Sequence, residues 1–275
     1  LTPQEKVGQL FLVTFQGKDV GPGTVISNLV TKYHIGGVVF NAANDNFSEP
    51  GSTLTDFYSA TSSLQTQAWE AYSQPALNVA GESQTDNRFI PLFIALSQEG
   101  GGYPYDQIIN GVTQLPDQMA IGATWQPELA RQVGAVMGDE LGKLGVNLFF
   151  GPSLDVLDTL PTEDSDDLST RSFGGDPYWV GLMGQAYIQG LHEGSSGRMA
   201  VIPRHFPGRG GSDRSTEEEV ATVRKSLEQL KQIELAPFFA VTSSAAEAQA
   251  VADGLLVSHI RYQGLQGNIR ATTRP

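Results

Sequence analysis

Arg204 and His205 stand side by side at the end of the apolar run MAVIPRHF (199–206), and a loop holding Pro207, Gly208, Gly210, Gly211 and Asp213 follows them. A guanidinium presents a planar fork of donors, and an imidazole adds a donor and an acceptor. Such a set suits a ligand rich in hydroxyls, for example a sugar. Other polar and ionisable residues stand just after other apolar runs: Asn41, Ser97 in SQEGGGYPYD (97–106), Asp155 in PSLDV (152–156) and His259 in SHIRY (258–262). Arg171 comes from TRSFGGDP (170–177), in the long connection after PSLDV. Each has a plainer role open to it. Arg204 and His205 can cap strand ends and pair with Asp155, a candidate buried carboxylate, and Arg171 can pair with Asp176. Glu217, Glu218 and Glu219 suit a helix N-terminus, where the macrodipole favours acids. Gly100 to Gly102 lack the context of a phosphate cradle.

The elements that would position these residues follow a strand-then-helix rhythm. Six apolar runs read as strands buried on both faces, the mark of a parallel sheet: LFLVTF (10–15), GGVVFN (36–41), PLFIALS (91–97), VNLFFGPSLDV (146–156), MAVIPRHF and GLLVSHI (254–260). Between them, QPELARQVGAVMGDELGKLG (126–145) has a helical apolar face, with Pro127 placed for the first turn and Gly145 for the C-terminal cap. STEEEVATVRKSLEQL (215–230) predicts a second helix, opened by Ser215 and Thr216, each with a glutamate three residues on. The polar segment 42–90 predicts one helix at about 53–73 and a loop. Alternation of this kind means a doubly wound sheet or a (β/α)8 barrel. In a barrel the chemistry sits after the C-terminal ends of the strands, where the residues named above stand.

Composition narrows the partners. A length of 275 residues fits one large α/β domain or two small ones. A net charge of −13 with scattered basic residues argues against nucleic acid and anionic membranes. The absence of cysteine excludes a disulfide framework and thiolate metal sites. The run at 10–15 is too short to span a bilayer. Because the chain begins at Leu1, a leader or tag is expected to have been removed upstream. Oligomeric state is not legible.

Six motifs in order carry a family resemblance: LTPQEKVGQLF (1–11), QEGG (98–101), LPDQMAIGAT (115–124), LGVNLFFGPSLDV (144–156), RSFGGDP (171–177) and RHFPGRG (204–210). With them the chain resembles the N-terminal barrel domain of glycoside hydrolase family 3, and within it the bacterial β-N-acetylglucosaminidase branch. The resemblance implies a (β/α)8-type barrel over 1–275, of which the apolar runs supply only about six strands. It implies a retaining glycosidase for terminal β-linked sugars, foremost β-N-acetylhexosaminides. A β-glucosidase-like specificity and a catalytically silent sugar-binding barrel are the alternatives. Arg171, Arg204 and His205 would hold sugar hydroxyls, with Ser97 and His259 on the rim. No cofactor or metal is expected. The expected setting is extracellular or the cell envelope, with the cytoplasm as the alternative. A cis Phe206–Pro207 bond is also implied, with the loop after it folding over the pocket.

The sequence departs from the family at five places. Arg204 stands where members usually have lysine, which keeps the charge and changes the hydrogen-bond geometry. Ser97 replaces an aspartate, and Tyr105 stands near a usual arginine. The branch's Asp-x-His dyad, whose histidine is the acid/base, has no histidine here, since His34, His192, His205 and His259 all lie outside that loop. With a two-residue deletion, Asp213 matches the dyad aspartate and Ser215 takes the histidine's place; without it, Glu217 falls there. Asp213 is thus the catalytic candidate that the chain retains. The family nucleophile, an aspartate beyond strand six, has no counterpart in QGLQGNIRATTRP (263–275), which contains no Asp or Glu. The chain is therefore expected to be part of a longer enzyme and inactive alone.

Overall fold

The computed structural model describes residues 1–47, 53–73, 76–77, 83–84, 89–158, 168, 170–214 and 220–266. They fall into two compact units. The first is Leu1–Ser97 with Gln107–Val112 and Lys143–Leu148; the second is Gln98–Asp106, Thr113–Gly142 and Phe149–Pro275.

The first unit carries α1 (Pro3–Gly8), β1 (Leu12–Val13), α2 (Val25–Tyr33), β2 (Gly37–Phe40), α3 (Thr53–Ser73), β3 (Ala76–Leu77), β4 (Ser83–Gln84) and β5 (Phe93–Leu96). Helix α3 occupies the range that the sequence predicts. Strands β1, β2 and β5 lie side by side and parallel, with Leu12 opposite Gly37 and Gly37 opposite Phe93. Val38, Phe40, Ile94 and Leu96 are buried, as are Phe57 and Leu64 of α3, and the Phe40 and Phe57 rings meet edge to face at 4.7 Å. Burying each such side chain is worth about 1.5–3 kcal/mol. Two expectations fail here. The first apolar run is not buried on both faces: Leu10, Phe11 and Leu12 are exposed, because β1 pairs with β2 alone among the described residues. The loop expected after α3 instead contains the antiparallel pair β3–β4.

The second unit carries α4 (Gln118–Gly122), α5 (Pro127–Lys143), α6 (Pro177–Gly194), β7 (Ala200–Val201), β8 (Arg204–Phe206), β9 (Thr222–Val223), α7 (Leu227–Gln232), α8 (Leu235–Thr242), β10 (Leu256–Val257), β11 (Arg261–Tyr262) and α9 (Gln263–Gln266), and it shares β6 (Leu148–Phe149) with the first. After α5, Gly145 takes the left-handed φ of +93° expected of its cap position. Helices α5 and α6 meet backbone to backbone: a Cβ on Gly190 would lie 2.0 Å from the Arg131 carbonyl oxygen. The predicted helix at 215–230 is corrected. Ser215 and Thr216 lie outside the described residues, and Thr222–Val223 form a strand parallel to Arg261–Tyr262. Ala221 and Val223 are drawn into a core with Leu230, Ile260 and Tyr262, so the helix starts only at the capping box of Ser226 and Gln229.

Parallel ladders continue through the second unit. Ile202 N–H donates to Phe149 O (2.9 Å), Arg204 N–H to Pro152 O (3.1 Å), and Leu154 N–H to Arg204 O (2.7 Å). On the other side, β8 pairs parallel with β10. Each of the six predicted strands is present, and each feeds a helix or a loop at its C-terminal end. The fold is of the (β/α)8-barrel type.

Candidate active site

The strand ends of the second unit deliver Arg204 and His205 together. Leu154 N–H reaches Arg204 O from one side, and from the other Ser258 N–H donates to Phe206 O (2.7 Å) and Ser258 Oγ to His205 O (2.8 Å). The Arg204–His205 and Phe206–Pro207 peptide bonds are cis, the latter as the resemblance implies.

Arg204 Nη2 pairs with Glu99 Oε1, and Arg171 Nη1 lies 3.8 Å from the same oxygen. The Arg171 guanidinium also sits over the Tyr105 ring, 4.7 Å from its centroid, where the π face attracts a cation. Arg171 therefore turns to Glu99 and Tyr105. Asp176 is engaged elsewhere, as the cap of α6, accepting from the N–H groups of Tyr178 (2.9 Å) and Trp179 (3.1 Å).

Glu99 is held by the turn that carries it. Gly100, Gly101 and Gly102 all have φ between +83° and +85°; the N–H groups of Glu99, Gly100 and Gly102 turn inward, while Gly101 N–H donates to Leu115 O (2.9 Å). The concavity is filled by the chain's own Asp106, whose carboxylate accepts from the N–H groups of Glu99 (2.8 Å), Gly100 (2.8 Å) and Gly102 (2.9 Å). Burial pushes the Asp106 carboxyl up, against the pull of those three donors. The glycine run is thus a support for Glu99. Behind it, the Gln118 amide, oriented to satisfy its neighbours, donates to Arg171 O (2.6 Å) and accepts from Ser153 N–H (3.1 Å).

His205 is fixed by a buried acid. Its Nδ1 donates to Asp155 Oδ2 (2.7 Å), which also accepts from Ser153 Oγ (2.7 Å), while Asp155 Oδ1 accepts from Arg209 N–H (2.6 Å). Burial alone would raise the Asp155 carboxyl, but His205 and Arg209 outweigh it and hold it below the ordinary carboxylate range. Burial lowers the His205 imidazole, against the opposing pull of Asp155. The pair is then a carboxylate and a neutral ring with its proton on Nδ1, which leaves Nε2 as an acceptor toward a ligand.

The loop after His205 is packed. A Cβ on Gly210 would lie 2.0 Å from Val156 O, and one on Gly211 would lie 2.9 Å from Lys225 Nζ. Lys225 pairs with the fully buried Glu234 and with Asp158 (2.8 Å). Burial raises the Glu234 carboxyl, with Lys225 pulling against it. Asp213 closes the loop by accepting from Thr222 N–H (2.8 Å) and pairing with Arg224 (3.1 Å) and Arg214 (3.4 Å). Burial would raise Asp213, but Thr222 N–H and these arginines hold it low, the wrong direction for a general acid.

The sequence candidates are therefore distributed as follows. Arg171 and Arg204 meet on Glu99, and His205 is the next residue along, anchored on Asp155. His259 is exposed between the buried Ser258 and Ile260 and makes no side-chain hydrogen bond among the described residues. Ser97 belongs to the first unit, where its carbonyl accepts from Gln107 N–H (3.2 Å). Glu99, Asp106, Lys225 and Glu234 were not singled out from the sequence. The one signal for the first two was a pair of acids flanking three glycines. Among the described residues no cluster of three or more His, Asp or Glu could hold a metal ion.

Comparison with known proteins agrees with this frame. The glycosyl hydrolase family 3 N-terminal domain matches residues 2–275. Beta-hexosaminidase A of Pseudoalteromonas piscicida is 27% identical over 248 residues, 88% of this chain and 36% of its own. Beta-hexosaminidase LpqI of Mycobacterium tuberculosis is 28% identical over 269 residues, 98% of this chain and 57% of its own. Among solved structures, the family 3 β-N-acetylglucosaminidase from Paenibacillus sp. str. FPU-7 superposes with a TM-score of 0.80 at 28% identity, over 99% of this chain and 45% of that one. This chain thus spans about a third to somewhat over half the length of these relatives. It belongs to glycosyl hydrolase family 3, matching the family's N-terminal domain.

Proposed function

We propose that this chain forms the sugar-recognising barrel of a glycoside hydrolase acting on terminal β-linked N-acetylhexosaminides. The observation that carries the reading is the convergence of Arg171 and Arg204 on Glu99, with His205 beside them on Asp155. The two guanidinium groups bring donors to this place, and the neutral His205 adds an acceptor at Nε2. Ring hydroxyls need both kinds of partner. The names of the relatives support N-acetylhexosamine over glucose as the sugar.

A second reading is sugar binding without turnover, and the state of the acids favours it. Retaining cleavage needs a nucleophile and an acid/base about 5 Å apart. Glu99 is tied to two arginines, Asp155 to His205, and Asp213 to Arg214 and Arg224. The test pairs calorimetric titration of N-acetylglucosamine and glucose with an assay on an aryl N-acetyl-β-glucosaminide. Binding with a kcat above roughly 1 s⁻¹ would place both catalytic groups within these residues. Binding without turnover supports the second reading, and preference for glucose would favour a glucosidase.

A further inference from the structure

Outside the site just described, the second unit exposes two aromatic residues that share a ring neighbour: Trp125 is 57% exposed and Tyr178 68% exposed. Trp125 and Trp179 meet edge to face at 5.2 Å, and Tyr178 and Trp179 at 5.9 Å. Exposed, mutually packed aromatics suit an interaction surface, since their rings are large, rigid and amphipathic.

Two features show that these rings are held in place. Trp125 has φ +54°, a left-handed conformation that a bulky aromatic residue adopts only at a cost, in the position after a helix end where glycine is the ordinary occupant. Its N–H still donates to Gly122 O (3.1 Å), so the turn is closed with tryptophan in it. On the other side, the Asp176 cap fixes the first turn of α6 and with it the Tyr178 and Trp179 backbones.

The backbone that carries Trp125 packs on the loop that carries Arg171. Met119 N–H donates to Thr170 O (3.1 Å), and a Cβ on Gly122 would lie 1.9 Å from Phe173 O. The short helix leading into Trp125 is therefore seated on the loop that carries Arg171.

We infer that the exposed rings of Trp125 and Tyr178, with Trp179 as their edge-to-face support, form a stacking platform for a chain of β-linked pyranose units, engaging sugars beyond the one held by Arg171, Arg204 and His205. The inference rests on the carbohydrate reading given above. A β-linked pyranose presents a flat face of C–H groups that lies on an aromatic ring, largely regardless of its hydroxyl and acetamido substituents. The platform therefore selects for chain length, while the arginine site selects the sugar.

Intrinsic fluorescence tests this directly, because two of the three tryptophans of the chain are in the platform. The probes are N-acetylglucosamine, chitohexaose and cellohexaose, titrated into the full chain and into Trp125→Gly, Tyr178→Ala and Arg204→Ala. Trp125→Gly relieves the backbone strain as it removes a ring, and Tyr178→Ala truncates an exposed side chain, so the two guard against a folding artefact. Both hexaoses should perturb the fluorescence and bind at least about tenfold more tightly than the monosaccharide, an advantage lost in Trp125→Gly and Tyr178→Ala. Arg204→Ala should lose the monosaccharide while keeping the hexaose signal. Absence of length dependence, or its survival in both aromatic variants, would overturn the platform. Failure of N-acetylglucosamine to bind, with a hexaose signal that depends on Trp125, would overturn the site reading and leave the platform standing.

Discussion

Glu99 holds the guanidinium of Arg204 and lies 3.8 Å from that of Arg171, so one largely buried acid gathers two cations from separate parts of the chain. Replacing it by Glu99→Gln keeps the shape and removes the charge that counters them. Loss of one partner from a buried ionic cluster costs about 3–5 kcal/mol. The expected outcome is a fall of that order in urea unfolding, with N-acetylglucosamine affinity reduced by at least about tenfold. Unchanged affinity would show that the two arginines hold their places without Glu99.

Asp155 makes stability depend on acid. Its carboxyl is held below the ordinary range in the folded chain, so its contribution is present above the unfolded value and lost as pH falls. His205 is lowered as well, and an imidazole that takes up its proton more readily when unfolded also makes acid destabilising. Stability followed by urea titration should therefore fall from about pH 6.5 downward and more steeply below about pH 4. Asp155→Asn should be less stable at neutral pH by about 3 kcal/mol and should show a shallower acid limb. An identical acid limb in the variant would contradict the assignment.

Lys225 pairs with the buried Glu234 beneath the glycine loop and pulls its carboxyl down against burial. Without it the acid's pKa, already raised by burial, should rise further. In Lys225→Met the loss of stability should be larger at about pH 8, where the carboxylate is charged and alone, than at about pH 5, where it takes up a proton. Equal losses at the two values, read from thermal unfolding, would count against a buried charge pair.

Much of this was legible from sequence because it depends on short-range pattern. Apolar runs of strand length marked the six strands, and Pro127 and Gly145 bracketed α5. An edge strand, however, has the same composition as a central one, so nothing in LFLVTF foretold the exposure of Leu10 to Leu12. Two-residue strands such as β9 and β11 carry no period at all. Lys225 sat in a stretch that read as a helix, yet its ammonium pairs with Glu234 and Asp158. Arg171, Arg204 and His205 could be named from residue type and place. Glu99 could not, because its role exists only where distant segments meet.

Asp213 is expected to be a loop anchor. Asp213→Ala removes the acceptor of Thr222 N–H and the partner of Arg224. Thermal stability should fall by about 1 kcal/mol, the scale of one hydrogen bond, with no change in affinity for N-acetylglucosamine. A large loss of affinity at unchanged stability would return Asp213 to the site.

The most direct measurement is calorimetric titration of N-acetylglucosamine, with glucose in parallel, into the intact chain, Arg204→Ala and Arg171→Ala. The account predicts saturable binding of N-acetylglucosamine, glucose weaker by at least about tenfold, and loss of binding in both arginine variants. Failure of the intact chain to bind N-acetylglucosamine, or binding unaltered in both variants, would contradict a sugar site built by Arg171, Arg204 and His205.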